Sequence, residues 1–203
     1  MIAKPRIKSQ WFRGAGERTP EQNASALAFT AWRVARHMLA RMREAGFEID
    51  AGPTYFGFIR EVLVFFLAGL DRMAYARLGD EDRRRFTSAL VLRTADILRD
   101  SEADLLGPVE GADYAERFID QFNTLSVHYA DFGWSDTEGP DFAFVRYLGS
   151  RLEPTVPDKD RRWVIDQVMA AEVPEAVAML QGAMRGVFST EPRRARREGV
   201  SGD

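Results

Sequence analysis

Two histidines and no cysteine leave little material for acid–base or metal chemistry. The constellation with suitable spacing is His128 with Asp131, one helical turn apart, beside Asp136 in the loop that follows. A general base and an acid to orient it need this kind of proximity. At about 100° per residue, with Phe122 as reference, His128 falls on the shoulder of the apolar face and Asp131 on the solvent side. A surface histidine with an acidic i,i+3 neighbour has the same spacing. A base also needs a group across a cleft, and Arg60 and Glu61 of an earlier helix are the candidates. His37 falls on a similar shoulder of the first helix and reads as structural.

Other motifs carry less. Neither histidine has Glu three residues before it, so the Glu-x-x-His pairs of a carboxylate di-iron bundle are missing. Zinc is short of imidazole ligands. The lack of cysteine excludes thiolate sites, disulfides and a thiol nucleophile, and fits a reducing cytoplasm. No metal and no cofactor are expected. Asp131-Phe132-Gly133 spells a kinase magnesium motif without any other kinase part. Gly14-Ala15-Gly16 lacks the preceding strand and lysine of a phosphate loop. Asp80-Glu81-Asp82 is explained by a helix start, where the dipole favours acids.

Binding surfaces are better represented. Away from its apolar stripe, the first helix carries Phe29, Trp32, Arg33, Arg36 and Arg43, a mixture that interface cores favour. A neighbouring helix lying over Phe29 and Trp32 would require the same residues. Trp134 stands in a Gly-flanked acidic loop, and an indole folded back as a lid on the bundle end is the favoured reading. Loops also carry function more often than helices.

The elements that must position these residues are helices. Thr19-Pro20-Glu21-Gln22 has the form of a capping box with proline at the first helical position. A 3.6-residue apolar period runs from there to Gly46. A second helix is expected from Gly52-Pro53 to Leu78, a third from Asp80 to Gly107-Pro108, and a fourth from Asp113 to Phe132, with Gly133 as its stop. Three shorter helices are expected near 141–152, 158–172 and 174–188, punctuated by Pro154, Pro157 and Pro174. Period-two alternation is absent, so no sheet is expected, and no residue pattern repeats. The fold class is all-α, a single helical-bundle domain of four long helices followed by about three shorter ones.

Residues 61–70 of the second helix, EVLVFFLAGL, are apolar on nearly every side. Such a helix is buried. Either the other helices enclose it, or a second copy of the chain seals one side, which is the basis for expecting a homodimer. Its longest uncharged apolar run, Val62 to Leu70, is shorter than the roughly 20 residues that span a bilayer, so no membrane span is expected.

The 203 residues divide into a basic N-terminal arm (1–18), the bundle (19–188) and an Arg-rich tail (189–203). The tail has nothing to bury and is expected to be mobile. The whole chain carries −3, the arm +4 and the tail +1, so the bundle carries −8. Nucleic acid is therefore not expected to bind through the acidic body. The arm mixes Lys and Arg with Trp11 and Phe12. It would lie along that body or meet an acidic partner. The first twenty residues lack an apolar signal region, and a cytoplasmic protein is expected.

Three functions fit. The first is a non-catalytic homodimer that binds a protein partner. The second is a helical binder or sensor of an apolar or aromatic small molecule, suggested by Phe58, Phe65, Phe118, Phe122 and Tyr129. The third is an enzyme using His128 and Asp131.

Overall fold

The computed structural model describes residues 18–107 and 113–189. The basic arm as far as residue 17 and the tail from residue 190 lie outside the described residues, as does the expected stop at Pro108. The fold is all-α, with helices α1 (Pro20–Glu44), α2 (Pro53–Tyr75), α3 (Asp80–Leu106), α4 (Tyr114–Ala130), α5 (Phe142–Leu152), α6 (Arg161–Gln167) and α7 (Val173–Phe188).

Local chemistry sets most helix ends. Thr19 caps α1: its hydroxyl accepts from Gln22 N–H, and the Gln22 side chain accepts from Thr19 N–H. At the other end Gly46, at φ 92°, lies one residue beyond the cap. Its N–H donates to Arg43 O, and Phe47 N–H donates to Met42 O, the paired bonds of a Schellman motif. Asp113 caps α4 by accepting from Ala115 and Glu116 N–H. Arg72 of α2 caps its far end, donating to the carbonyls of Tyr129 (3.3 Å), Ala130 (2.6 Å) and Phe132 (3.4 Å). A cation at a helix C-terminus also meets the negative end of the dipole.

Helix α2 is the axis of the bundle, with α1, α3, α4, α5 and α7 packed around it. All ten residues from Glu61 to Leu70 are buried. By length and composition α2 could cross a membrane, but its apolar surface is packed inside the fold. The enclosure comes from the chain's own helices, so the burial of α2 gives no reason for a twin subunit.

Around that axis, α1 runs beside α3 with their N-termini together, tied by Arg85 to Glu21 at 2.7 Å. It runs antiparallel to α7, where Arg41 donates to Glu172 at 3.0 Å and also to Glu175. The two ionisable residues at the start of the apolar run turn to opposite partners. Arg60 pairs with Glu102 of α3, and Glu61 accepts two bonds from Arg151 of α5 at 3.0 and 2.6 Å. Buried carboxylates persist only when paired in this way.

Two expectations need correction. A break was expected at Pro174, between 158–172 and 174–188, but the helix passes through it. Proline lacks an N–H, and its ring would strike the carbonyl four residues earlier. The turn before it widens into a π segment, Val168–Glu172, in which Val173 N–H donates to Val168 O, five residues back. This bulge lets one continuous helical run extend from Arg161 to Phe188. A sheet was also not expected. The 133–140 loop contains a two-residue antiparallel ladder, β1 (Trp134–Ser135) with β2 (Gly139–Pro140), pairing Trp134 with Pro140 and Ser135 with Gly139. Two residues per strand are too few for alternation to be visible.

Candidate functional site

The structure does not bring the acid–base candidates together. His128 is exposed, and its ring lies 5.8 Å from that of Tyr147. Asp131 is the exposed C-cap residue of α4 and is joined to His128 through the backbone, N–H to carbonyl at 3.2 Å. Asp136 is exposed on the hairpin. Arg60 and Glu61 are committed to Glu102 and Arg151. Among the described residues no side chain hydrogen-bonds the His128 imidazole. His37 Nε2 donates to the Glu175 carboxylate at 3.1 Å, part of the α1–α7 tie. No group of three or more His, Asp or Glu among the described residues is placed to hold a metal ion.

The aromatic–arginine face of α1 is divided. Trp32 is buried at 8% exposure, whereas Phe29 is 56% exposed. Arg43 donates to Ile49 O and lies over the Tyr55 ring at 5.6 Å, so it serves the α1–α2 connection. Arg33 and Arg36 are exposed, with no ion pair to a described residue. What remains open on this face is Phe29 with Arg33 and Arg36 in the two turns after it.

Trp134 does fold back. Its indole packs on α2 at Gly69, where a Cβ would lie 2.9 Å from Cη2 and from Cζ3. Only a residue without a side chain leaves room there. The other contacts are aromatic: Phe144 at 5.6 Å, itself beside Tyr129 at 4.7 Å, with Phe65 and Tyr147 closing the cluster around Tyr129. Two polar atoms in this region, Trp134 Nε1 and the Tyr129 hydroxyl, are buried without a hydrogen-bond partner among the described residues. Burial pushes the Tyr129 phenol well above its ordinary value, and the nearby Glu61 carboxylate adds to the shift. Burial raises Tyr147 in the same direction.

The hairpin above the indole is rigidly based. Asp141 caps α5 by accepting from Phe144 N–H at 2.7 Å, and its other oxygen accepts from Gly133 N–H at 2.8 Å. Ser135 Oγ accepts from the N–H groups of Thr137 and Glu138 and closes the tip. Gly139 makes the return at φ 85° and runs close to α7, where a Cβ would lie 3.2 Å from Val177 Cγ1.

This arrangement leaves a groove of about 390 Å³ between the hairpin, α5, the π segment and α7. Its apolar lining comes from Phe142 and Val145 on α5, Met169 in the π segment, and Val173, Pro174 and Val177 on α7. Phe142 is 70% exposed, the most exposed large apolar side chain among the described residues. The polar lining is Glu138, Asp141 and Gln181. Asp141 is occupied by its two N–H donors, whereas the side chains of Glu138 and Gln181 have no hydrogen bond to a described residue.

Sequence reasoning missed this groove. The sequence offered no cue: Val173 and Val177 belong to the buried arc of α7, with Ala176, Leu180 and Met184, and read as core. Reading Pro174 as a break separated Met169 from that arc. No family model matches the chain, and neither a curated protein nor a solved structure matches it.

Proposed function

We propose that the chain is a non-catalytic helical binding protein whose groove between the hairpin, α5 and α7 receives an apolar segment of a protein partner. The observation that carries this reading is the groove itself, with an apolar floor and Phe142 standing exposed at its edge. Phe142, Pro174 and Ala178 are exposed and Met169 half-buried along it, so an apolar side chain seated there would be removed from water. The dispersed positions of His128, Asp131, Arg60 and Glu61 weigh on the same side, since a base requires its partners within hydrogen-bond reach. The occupant is a different protein; association of two copies through this groove would instead show as stability that depends on protein concentration.

The test fills the groove without touching the core. Ala178 lines it from an exposed position on α7, so Ala178→Trp should occupy it at a helix-propensity cost of about 0.5 kcal/mol. Peptides selected on the wild-type protein from a displayed library should bind this variant at least about tenfold more weakly, a loss of about 1.4 kcal/mol. They should bind Phe29→Ala as they bind wild type. Equal binding to wild type and Ala178→Trp would refute the groove as the site.

An apolar small molecule is the second reading, favoured by one quantity: about 390 Å³ lies within the roughly 300–1,000 Å³ of ligand pockets. Thermal shift against a hydrophobic compound library separates the two. Compounds that raise the melting point of wild type but not of Ala178→Trp would support it, and a library without effect would remove it.

A further inference from the structure

Resting on the groove reading, the charge around the groove points to a more specific occupant. We propose that the segment it receives carries a lysine or arginine beside its apolar anchor, held by Glu138. Both charged residues that line the groove, Glu138 and Asp141, are carboxylates, and no lysine or arginine lines it. Asp141 holds the hairpin to α5 through two backbone N–H groups, so its role is structural. Glu138 is different. Its backbone N–H is engaged by Ser135, but its exposed carboxylate has no partner among the described residues.

Asp136 lies on the same hairpin and Asp166 one turn before Met169, both exposed and neither lining the groove. Arg146 follows Val145 on α5, exposed, but does not line the groove. An occupant with an acidic flank would be repelled by the Glu138 carboxylate, and one with a basic flank would neutralise it. Gln181, whose side-chain nitrogen would lie 3.8 Å from a Cβ on Gly139 and so stands beside the hairpin, offers an amide donor and acceptor to a peptide group. An apolar side chain on the floor, a cation at the hairpin and a peptide group at Gln181 together describe a short basic-apolar stretch of polypeptide.

The experiment uses two series of short, labelled, alanine-based peptides with the same leucine and phenylalanine anchors, flanked by lysine in one and by glutamate in the other. Fluorescence polarisation is read with the full chain. The lysine series should bind about fivefold more tightly at low salt, as one exposed ion pair allows, and the gap should narrow as salt is raised. Glu138→Lys should reverse the order of the two series. Because Glu138 makes no side-chain bond to a described residue, that variant should fold as wild type. Equal binding of both series, with both lost in Ala178→Trp, would overturn the charge assignment while leaving the groove as the site. Binding of neither series, or binding indifferent to Ala178→Trp, would overturn the groove reading and this inference with it.

Discussion

Gly69→Ala offers a sharp test of how the hairpin is seated. Within a helix, alanine is favoured over glycine by about 1 kcal/mol, and Gly69 lies inside α2, well short of its end at Tyr75. Taken alone, the substitution should stabilise the protein. The added methyl, however, would lie 2.9 Å from two edge atoms of the Trp134 indole. The indole cannot swing away without leaving Phe144, against which it packs at 5.6 Å, and the Trp134–Pro140 ladder and the Asp141 cap hold its backbone. Overpacking of this kind costs about 1–3 kcal/mol, so the net effect should run from neutral to about 2 kcal/mol destabilising once the propensity gain is subtracted. Removing the indole should reverse the sign. Trp134→Ala alone should cost about 2–3 kcal/mol, less than the loss of a fully buried aromatic because the side chain is half-buried. In that background Gly69→Ala should stabilise by about 1 kcal/mol. Urea unfolding of the four proteins closes a double-mutant cycle with an expected coupling of about 1–3 kcal/mol. If Gly69→Ala stabilised both backgrounds equally, the indole would not rest on Gly69, and the position assigned to the hairpin would be wrong.

Two further perturbations probe the interior. Tyr129→Phe removes a buried hydroxyl that has no hydrogen-bond partner among the described residues, so stability at pH 7 should hold or rise by up to about 1 kcal/mol. Because burial holds the Tyr129 phenol above its unfolded value, its contribution is intact below about pH 10 and is lost as pH rises beyond it. The variant should therefore lose about 1.4 kcal/mol less per pH unit above that point. A variant weaker at pH 7 by more than about 1 kcal/mol would mean that the hydroxyl has a partner. The second perturbation is dilution. With α2 enclosed by helices of its own chain, the urea midpoint should not move over about a hundredfold range of protein concentration. A midpoint that falls on dilution would restore a twin subunit to the architecture.

Much of the bundle was legible because each local signal agreed with the global one. The Thr19 capping box, the Asp113 cap and the apolar run at 61–70 each require one kind of structure, and each is found. Pro174 was misread because a proline inside a helix has two outcomes, a break or a widened turn, and only tertiary packing selects between them. The path of Trp134 was legible, since an indole in an acidic loop has strong reason to bury itself. Its seat was not: nothing in a single sequence connects Gly69 to a residue 65 positions later. Arg60 and Glu61 read as candidates for the group across a cleft from His128, yet neighbours on a helix point about 100° apart. They reach different helices. The groove escaped notice because it belongs to no single element. It exists only where a hairpin, a π bulge and the flanks of two helices meet.

The most direct test of the account is a hydrogen–deuterium exchange footprint, comparing the free protein with its complex with a selected peptide. Protection should concentrate in the first turn of α5, in the π segment at 168–172 and along 173–181 of α7, with α1 unchanged. Protection confined to the exposed side of α1 around Phe29, Arg33 and Arg36, with the groove unaffected, would contradict it.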